Sequence, residues 1–466
     1  MELHVPIDRS SGATLPHQIG RALIEMICSG MLPPGTRLPA SRAFADQLGV
    51  ARLTVVEAYQ WLADQGFVAA RRGSRAVVQE VGILPSACAA PAEEAAAVPE
   101  KSSPAFLIDF RAVRPDLRAF PRRRWGAALA AASRDLAPED LDYGDPLGHM
   151  PLREALSSYL RRSRGLTVPA RNIVVTSGSG QSLDVMLRAL PEHREVALEM
   201  PGHAIILKLM ALHGSRMIQT PVDRDGIRAD LLPADSRSKR IVLVTPSHQF
   251  PIGARMSLAR RRALIAWASR TDALIFEDDY DSEFAYDGRP LIPLASIDRT
   301  GRVVYMGTFS KTLVPGLRLG FMVVPDWLRD RVAAVKLWCD YGGGIVPQAA
   351  LARWIDDGSF ERHLQRMRSR YRERYRGLVA EVGSVFGDRA RIIGAPVGMH
   401  AAIALKSTRT AEEIADRAAG LGVGLAPLAP AAGMLEAGES AFLIGFGNLN
   451  EDEIMRGLAL FAEAAA

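Results

Sequence analysis

Lysine is scarce in this chain of 466 residues: only six of its 57 basic residues are lysine, namely Lys101, Lys208, Lys239, Lys311, Lys336 and Lys406. Arginine cannot act as an amine nucleophile, so chemistry that needs a Schiff-base amine has a short list of candidates. Cysteine is scarcer still. Cys28, Cys88 and Cys339 lie far apart with no CxxC pair, which argues against a disulfide framework and a structural zinc site and fits a reducing cytosol. No metal is expected. Long apolar runs are missing as well. The uncharged stretch Ala418–Leu435 is interrupted by Gly420, Gly422, Gly424, Pro427, Pro430 and Gly433, so no membrane span is expected. The opening residues MELHVPIDRS hold no apolar run of the signal-peptide type, and a cytoplasmic location is expected. Net charge is only +5 with a pI near 9.2. That does not establish a nucleic-acid partner, but it permits one where basic residues are locally concentrated.

What is present is an ordinary globular composition, 48% hydrophobic and 23% charged, with room for about three domain-sized units. The sharpest compositional shift is VGILPSACAAPAEEAAAVPEKSSP, residues 81–104, with seven alanines, four prolines and no aromatic residue. Such a segment buries little surface and is expected to be a linker. It separates a head, residues 1–80, from a body, residues 105–466.

In the head, Ile19, Leu23 and Ile27 recur four apart and predict a helix over Pro16–Ser29. A short helix is expected near Ser41–Leu48, then a tight turn at Gly49 and Val50, then a third helix over Ala51–Asp64 with Val55, Tyr59 and Leu62 on one face. FVAARRGSRAVVQ reads as two short strands around a basic turn. Three helices followed by a basic hairpin is a winged helix-turn-helix plan. An α-helix fits the B-DNA major groove and presents its first turn to base edges. Arg52 and Thr54 occupy that turn, and Arg71, Arg72 and Arg75 would sit beside phosphates. The competing reading is a helical docking domain whose arginines face solvent.

The stretch LPASRAFADQLGVARLTVVEAYQWLADQGFVAARRGSRAVV resembles the DNA-binding domain of the GntR family of bacterial regulators. The resemblance implies binding to double-stranded operator DNA, with Ser41 and Arg42 joining Arg52, Thr54 and the wing arginines. Ala40 and Ala51 stand where serines are common in that family. Ala40 would remove a helix cap typically worth ~1 kcal/mol, and Ala51 a hydroxyl from the DNA-facing turn.

In the body, RNIVVTSG, REVALEMPG, KRIVLVTPS, DALIFEDD, RVVYMGT and LGFMVVP are strand-like runs. Helical segments such as Gln181–Leu190 and Ser257–Ser269 lie between several of them. That alternation predicts an α/β fold with a mostly parallel, doubly covered sheet, whose ligands bind at the carboxyl ends of the strands. Three strand ends carry suitable chemistry. Ser177–Gln181, SGSGQ, offers small residues and a helix start to a phosphate. Glu277–Tyr280, EDDY, offers carboxylates. Gly307–Gly320, GTFSKTLVPGLRLG, offers Lys311, hydroxyls and Arg318. Each alone is a weak signal. Together they supply an amine, a phosphate anchor and a carboxylate for a pyridine nitrogen, the needs of pyridoxal 5′-phosphate.

YGDPLGHMPLREAL, TPSHQFPIGARMSLARR, IFEDDYDSEFAYDG and YMGTFSKTLVPGLRLG make the body similar to fold-type-I aminotransferases, with a smaller C-terminal α+β subdomain implied. Head and body together resemble the MocR/GabR subfamily of GntR regulators. Carried over residue by residue, Lys311 matches the lysine that bonds the cofactor aldehyde. Asp278 matches the partner of the pyridine nitrogen and Tyr280 the phenol near the ring's O3′. Ser179, Gly180, Thr308, Ser310 and Arg318 match the phosphate cup. Tyr143 matches a tyrosine that reaches the neighbouring subunit's phosphate, which implies a domain-swapped, head-to-tail homodimer with shared sites. His203 stands where a stacking tyrosine is usual. Leu443 stands where aminotransferases carry the arginine that forks onto the substrate carboxylate, a contact leucine cannot make.

The expectation is therefore a pyridoxal-phosphate-dependent transcriptional regulator that senses an amine effector or the cofactor itself. Its rivals are a working aminotransferase carrying a DNA-binding head and a body that binds no cofactor and only dimerises the heads. The helix FERHLQRMRSRYRERYR, Phe360–Arg376, carries seven arginines. It reads as a solvated helix whose side-chain stems cover the body, in preference to a DNA contact. Arg122, Arg123 and Arg124 pose the same choice.

Overall fold

The computed structural model describes residues 3, 5–8, 12–69, 75–80, 106–111, 113–288, 291–429 and 433–466. The expected linker and the wing arginines Arg71 and Arg72 lie outside the described residues. The chain divides into two compact units, Met1–Ser103 and Pro104–Ala466.

In the first unit, helix Leu15–Cys28 buries Ile19, Leu23 and Ile27, the residues spaced four apart. Helix Ser41–Leu48 ends at Gly49, whose φ of 63° turns the chain into the next helix. Helix Arg52–Asp64 starts one residue later than the apolar pattern indicates, because Ala51 is extended and caps it without a side-chain hydrogen bond. Ala40 caps its helix in the same bare way. Tyr59 packs near Phe44 and donates its hydroxyl to the Pro39 carbonyl at 3.0 Å, which ties the third helix to the segment before the second. Val68–Ala69 and Val77–Val78 pair antiparallel as the wing.

The second unit is built on an eight-stranded sheet. Across it run Ile173–Thr176, Gly320–Val323, Val303–Thr308, Leu274–Asp279, Arg240–Val244, Glu195–Met200, Arg216–Asp223 and Gly226–Ile227. The middle strands are parallel. Gly320–Val323 departs from the rule and runs antiparallel to both neighbours, because residues 309–319, which join it to Val303–Thr308, hold only the four-residue helix Phe309–Thr312 and a 3-10 turn and no helix that crosses the sheet.

Period-two alternation sends successive residues to opposite covers. Leu274 and Phe276 pack with Leu183, Leu328 and Val332 of helices Ser179–Ala189 and Asp326–Asp340. Ile275, between them, packs with Leu264 and Trp267 of helix Leu258–Thr271. A second, antiparallel sheet orders Ala390–Ile393, His400–Lys406, Glu439–Gly445 and Ala426–Leu428. Helices Ala411–Gly420 and Glu451–Ala465 complete this smaller α+β part. Leu443 is buried there, paired with Ala402 on one side and Ala426 on the other.

The arginine-rich segment forms part of helix Ser359–Phe386. Arg374 is buried and donates to Asp116 at 2.7 Å and to the Gly447 carbonyl at 2.6 Å. Arg370 reaches Asp116 at 3.2 Å, and Arg368 donates to the Glu283 carbonyl at 2.8 Å. These three fasten the helix to the body. Arg122, Arg123 and Arg124 open helix Arg122–Asp135 and are exposed. Among the described residues no helix is long and apolar enough to cross a membrane.

Candidate functional site

Strands Ile173–Thr176, Val303–Thr308, Leu274–Asp279 and Glu195–Met200 end on one edge of the large sheet, and their ends and following turns carry most of the polar residues singled out above. The EDDY run shows how the pleat sorts them. Asp278 lies on the side of helix Ser179–Ala189 and accepts from the Ser179 hydroxyl at 3.2 Å. Glu277 and Asp279 face the other way. Glu277 accepts the backbone N–H groups of Leu294 and Ala295 at 2.8 and 3.0 Å, capping helix Leu294–Ile297. Asp279 accepts the Tyr305 hydroxyl at 2.6 Å and pairs with Arg164. One of the three carboxylates therefore serves the site and two hold its frame. Burial raises the Asp278 carboxyl to about 7, with Asp279 and Asp281 adding like charge and the Ser179 bond opposing them.

Lys311 sits in the short helix Phe309–Thr312, just past strand Val303–Thr308. Its amine donates to the Val113 carbonyl at 2.5 Å. Burial lowers its pKa, the carboxylates of Asp281 and Asp278 resist, and the Arg114 charge adds to the lowering. The other described lysines are occupied differently: Lys239, Lys336 and Lys406 pair with Asp272, Asp340 and Glu436, and Lys208 is exposed.

Gly178, Thr308 and Arg318 enclose a small space. A Cβ at Gly178, where φ is 122°, would lie 3.7 Å from the Thr308 hydroxyl and 3.8 Å from the Arg318 guanidinium. One at Gly320 would lie only 2.7 Å from the Gly178 Cα. Glycine at both positions lets two backbones approach closely beside the N-terminus of helix Ser179–Ala189, which includes Gly180. The Thr308 hydroxyl oxygen accepts from the Ser310 N–H at 3.2 Å. Arg318 makes no ion pair among the described residues. An uncompensated guanidinium, a helix start and a space kept open by glycine suit a phosphate.

His203 caps helix Ala204–Leu212 through Nδ1, and its ring lies 4.9 Å from that of Phe250. The surrounding protein and the Lys311 charge both disfavour its protonation. Tyr280 is buried, with its hydroxyl 3.2 Å from His248 Nδ1. Tyr143 is not drawn into this cluster. It is 82% exposed and packs on Tyr341, with ring centroids 5.0 Å apart.

Sequence reasoning missed several neighbours: His248, Asp281 and His400, buried together beside Tyr280; Glu199, held near Thr245 and Gln249; and Arg114. The TPSHQFPIG and DDYDSEF runs contained His248 and Asp281, but no spacing rule links residues on different strand ends. In the head, Arg42, Arg52 and Arg75 are exposed and Ser41 and Thr54 half-buried. Arg52 Nε donates to the Ser41 hydroxyl oxygen at 3.4 Å, so the start of the third helix and the start of the second meet. Leu53, between Arg52 and Thr54, is also exposed.

Comparison with known proteins agrees with both halves. Residues 15–78 match bacterial regulatory proteins of the gntR family, and residues 115–419 match aminotransferase class I and II. The chain is 35% identical over 441 residues to the probable rhizopine catabolism regulatory protein MocR of Rhizobium meliloti, spanning 91% of this chain and 88% of that protein. It is 30% identical over 466 residues to the pyridoxine biosynthesis transcriptional regulator PdxR of Corynebacterium glutamicum, spanning 100% and 99%. Among solved structures it is similar to a kynurenine aminotransferase of Pyrococcus horikoshii, with a TM-score of 0.68 and 27% identity over 77% of this chain and 90% of that one.

Fold and site thus define a DNA-binding transcriptional regulator whose body is an aminotransferase-like, pyridoxal-phosphate-binding domain. The chain belongs to the MocR/GabR-type subfamily of gntR regulators.

Proposed function

We propose that this regulator senses an amine, or pyridoxal 5′-phosphate itself, at Lys311 and converts occupancy into a change in how a dimer engages its operator. When bound, the cofactor supplies an aldehyde that bonds reversibly to amines and a ring that withdraws electrons. Lys311 provides the amine, and the burial that lowers its pKa enlarges its nucleophilic, unprotonated fraction. Asp278 faces the same space and would ionise beside a cationic ring nitrogen. Thr308, Ser310, Arg318, Ser179 and Gly180 would hold the phosphate, with His203 against the ring and Tyr280 at its hydroxyl edge.

The observation that carries this reading is the convergence on one sheet edge of a desolvated lysine, a buried carboxyl and an arginine, the lysine and arginine both without an ion pair among the described residues. Exposed Tyr143, packed on Tyr341, which also meets exposed Trp338, supports a homodimer in which Tyr143 completes the partner's site. Buried, apolar Leu443 supports a sensor over a catalyst, since turnover of α-amino acids needs a firmly held carboxylate. A ligand shifts the dimer only by preferring one arrangement over another.

The test is a titration of purified protein with pyridoxal 5′-phosphate and then amines, following visible absorption and operator affinity together. A visible band in the wild type that is lost in Lys311→Ala is expected. Operator affinity should change with occupancy in the wild type only. Steady conversion of amino donors and keto acceptors at ordinary enzyme rates would favour the aminotransferase reading instead.

A further inference from the structure

His248, Asp281 and Tyr280 present a problem of proton counting. One nitrogen, His248 Nδ1, lies 3.0 Å from each Asp281 carboxylate oxygen and 3.2 Å from the Tyr280 hydroxyl oxygen. An imidazole nitrogen carries either a hydrogen or a lone pair, never both. A carboxylate only accepts, so with Asp281 ionised Nδ1 must carry hydrogen and donate to it. Tyr280 cannot then donate to that nitrogen. Its oxygen can share the same N–H as an acceptor, and its own hydrogen must point elsewhere.

The surroundings hold this arrangement in place. His248 and Asp281 side chains are about 2% and 1% exposed. The backbone at Gly398, with φ of 76°, presses so close that a Cβ there would fall 1.9 Å from Asp281 Oδ2. The charged and titratable groups facing the cluster are His400 across from the His248 ring at 4.5 Å, Lys311, which acts on His400, Asp278, Asp279 and Glu199, which act on Tyr280, and Lys311, Glu283 and Tyr286, on which Asp281 acts. Burial keeps His400 neutral, and neither of its ring nitrogens makes a well-formed hydrogen bond. A metal is a poor fit to the trio His248, Asp281 and His400, although their ligand atoms lie within 4.8 Å of one another. The two imidazole planes are tilted by 32° at a centroid distance of 4.5 Å, and the His248 nitrogen that faces Asp281 carries hydrogen in the arrangement above and has no lone pair for an ion.

We propose that Asp281 and His248 are positioning residues that fix the Tyr280 hydroxyl as a hydrogen-bond donor toward the ligand in the Lys311 site. Asp281 sets the tautomer of His248, His248 occupies the acceptor side of Tyr280, and the phenol proton is left to the ligand oxygen. This rests on the cofactor reading above and goes beyond it, because it assigns two residues outside the lysine and the phosphate cup, of which Asp281 also acts on Lys311 through its charge.

The experiment compares cofactor-loaded wild type, His248→Leu, His248→Asn and Asp281→Asn, each alone and with Tyr280→Phe. The measurements are the pH midpoint of the visible band and the affinity for pyridoxal 5′-phosphate by direct binding. His248→Leu and Asp281→Asn should each move the midpoint by about one unit and weaken binding about tenfold, the worth of one hydrogen bond. His248→Asn, whose amide N–H stands near the place of Nδ1–H, should recover most of both. In the Tyr280→Phe background the same changes should have little further effect. Asp281→Asn keeps the side-chain shape and carries the comparison where His248→Leu fails to fold. Effects of equal size with and without the phenol would overturn the relay. A wild type with no visible band would overturn the cofactor reading beneath it.

Discussion

Arg164 and Asp279 form an ion pair in which each side chain is about 1% exposed, one residue along the strand from Asp278. Tyr305 donates to the same carboxylate at 2.6 Å. The pair holds Asp279 in the frame, while Asp278, on the opposite face of the strand, is the carboxyl turned toward the site. Arg164 should therefore matter to folding and to the site together. Arg164→Met leaves a buried carboxylate without its cation and is expected to cost ~3–5 kcal/mol of stability. Urea denaturation checks this, and a loss below ~1 kcal/mol would mean that Asp279 is neutralised by another route. Adding Asp279→Leu to Arg164→Met should restore most of the loss, because the cost lies in the orphaned charge.

Three buried carboxyls should each give the cofactor-free protein stability that is lost as pH rises across the weakly acidic range, against the opposite contribution of His193, His363 and His400, whose protonation burial disfavours. Burial raises Asp278, Glu199 and Glu277 to about 7 from ordinary values of 3.8 for Asp and 4.5 for Glu. Each binds its proton more tightly folded than unfolded. The stability this confers is complete below about pH 4 and is lost as pH rises through about 7. Thermal melts of wild type and Asp278→Asn from pH 4 to 8 should show that decline as a fall of the wild type relative to the variant. Cofactor binding should also flatten it, since a nearby cationic nitrogen favours the ionised carboxylate.

Much of this site could be read from the chain because its parts are local. SGSGQ, EDDY and GTFSK each place their residues within one strand-to-helix turn, and parallel strands bring such turns to one edge. The head was legible for the same reason: apolar residues four apart in Leu15–Cys28 and a glycine after Leu48 define its turns. What stayed hidden depends on pairings across long separations. His248 meets Asp281 from another strand end, and His400 arrives from the small sheet. Nothing in EDDY says which acid faces the site until the pleat direction and the covering helices are known. The antiparallel course of Gly320–Val323 was equally silent, since an apolar run carries no direction.

For the head, Arg52→Ala should weaken operator binding by ~1–3 kcal/mol if the guanidinium reads a base edge. Binding measured at several salt concentrations separates two roles. A base contact leaves the salt slope nearly unchanged, whereas a phosphate contact lowers it by about one counterion. Arg52 also donates to Ser41 at 3.4 Å, so Ser41→Ala should show a smaller loss in the same direction. If Arg52→Ala alters neither affinity nor slope, the third helix is not the recognition helix.

The effector's chemistry can be tested through Leu443, which the resemblance matches to a carboxylate-binding arginine of aminotransferases. Leu443 is buried between Ala402 and Ala426, two strand residues with no charge to offer a carboxylate. One uncommitted cation beside Lys311 is Arg114, next to the Val113 carbonyl that receives the lysine, and it is exposed without an ion pair among the described residues. An α-amino acid would bring a carboxylate to an apolar wall, at the cost of burying that charge unpaired. An amine of the same carbon skeleton without the carboxyl group would avoid the cost. Titrating the cofactor-loaded protein with such matched pairs, read by visible absorption, should show the simple amine acting at concentrations at least ~10-fold lower, the ratio that ~1.4 kcal/mol produces. Leu443→Arg should narrow that ratio or reverse it where the variant folds. An amine whose anionic group lies farther from its nitrogen could reach Arg114 instead, and its advantage should disappear in Arg114→Gln with Leu443 untouched. Equal responses to amino acid and simple amine in the wild type would show that Leu443 does not stand where a ligand carboxylate would lie.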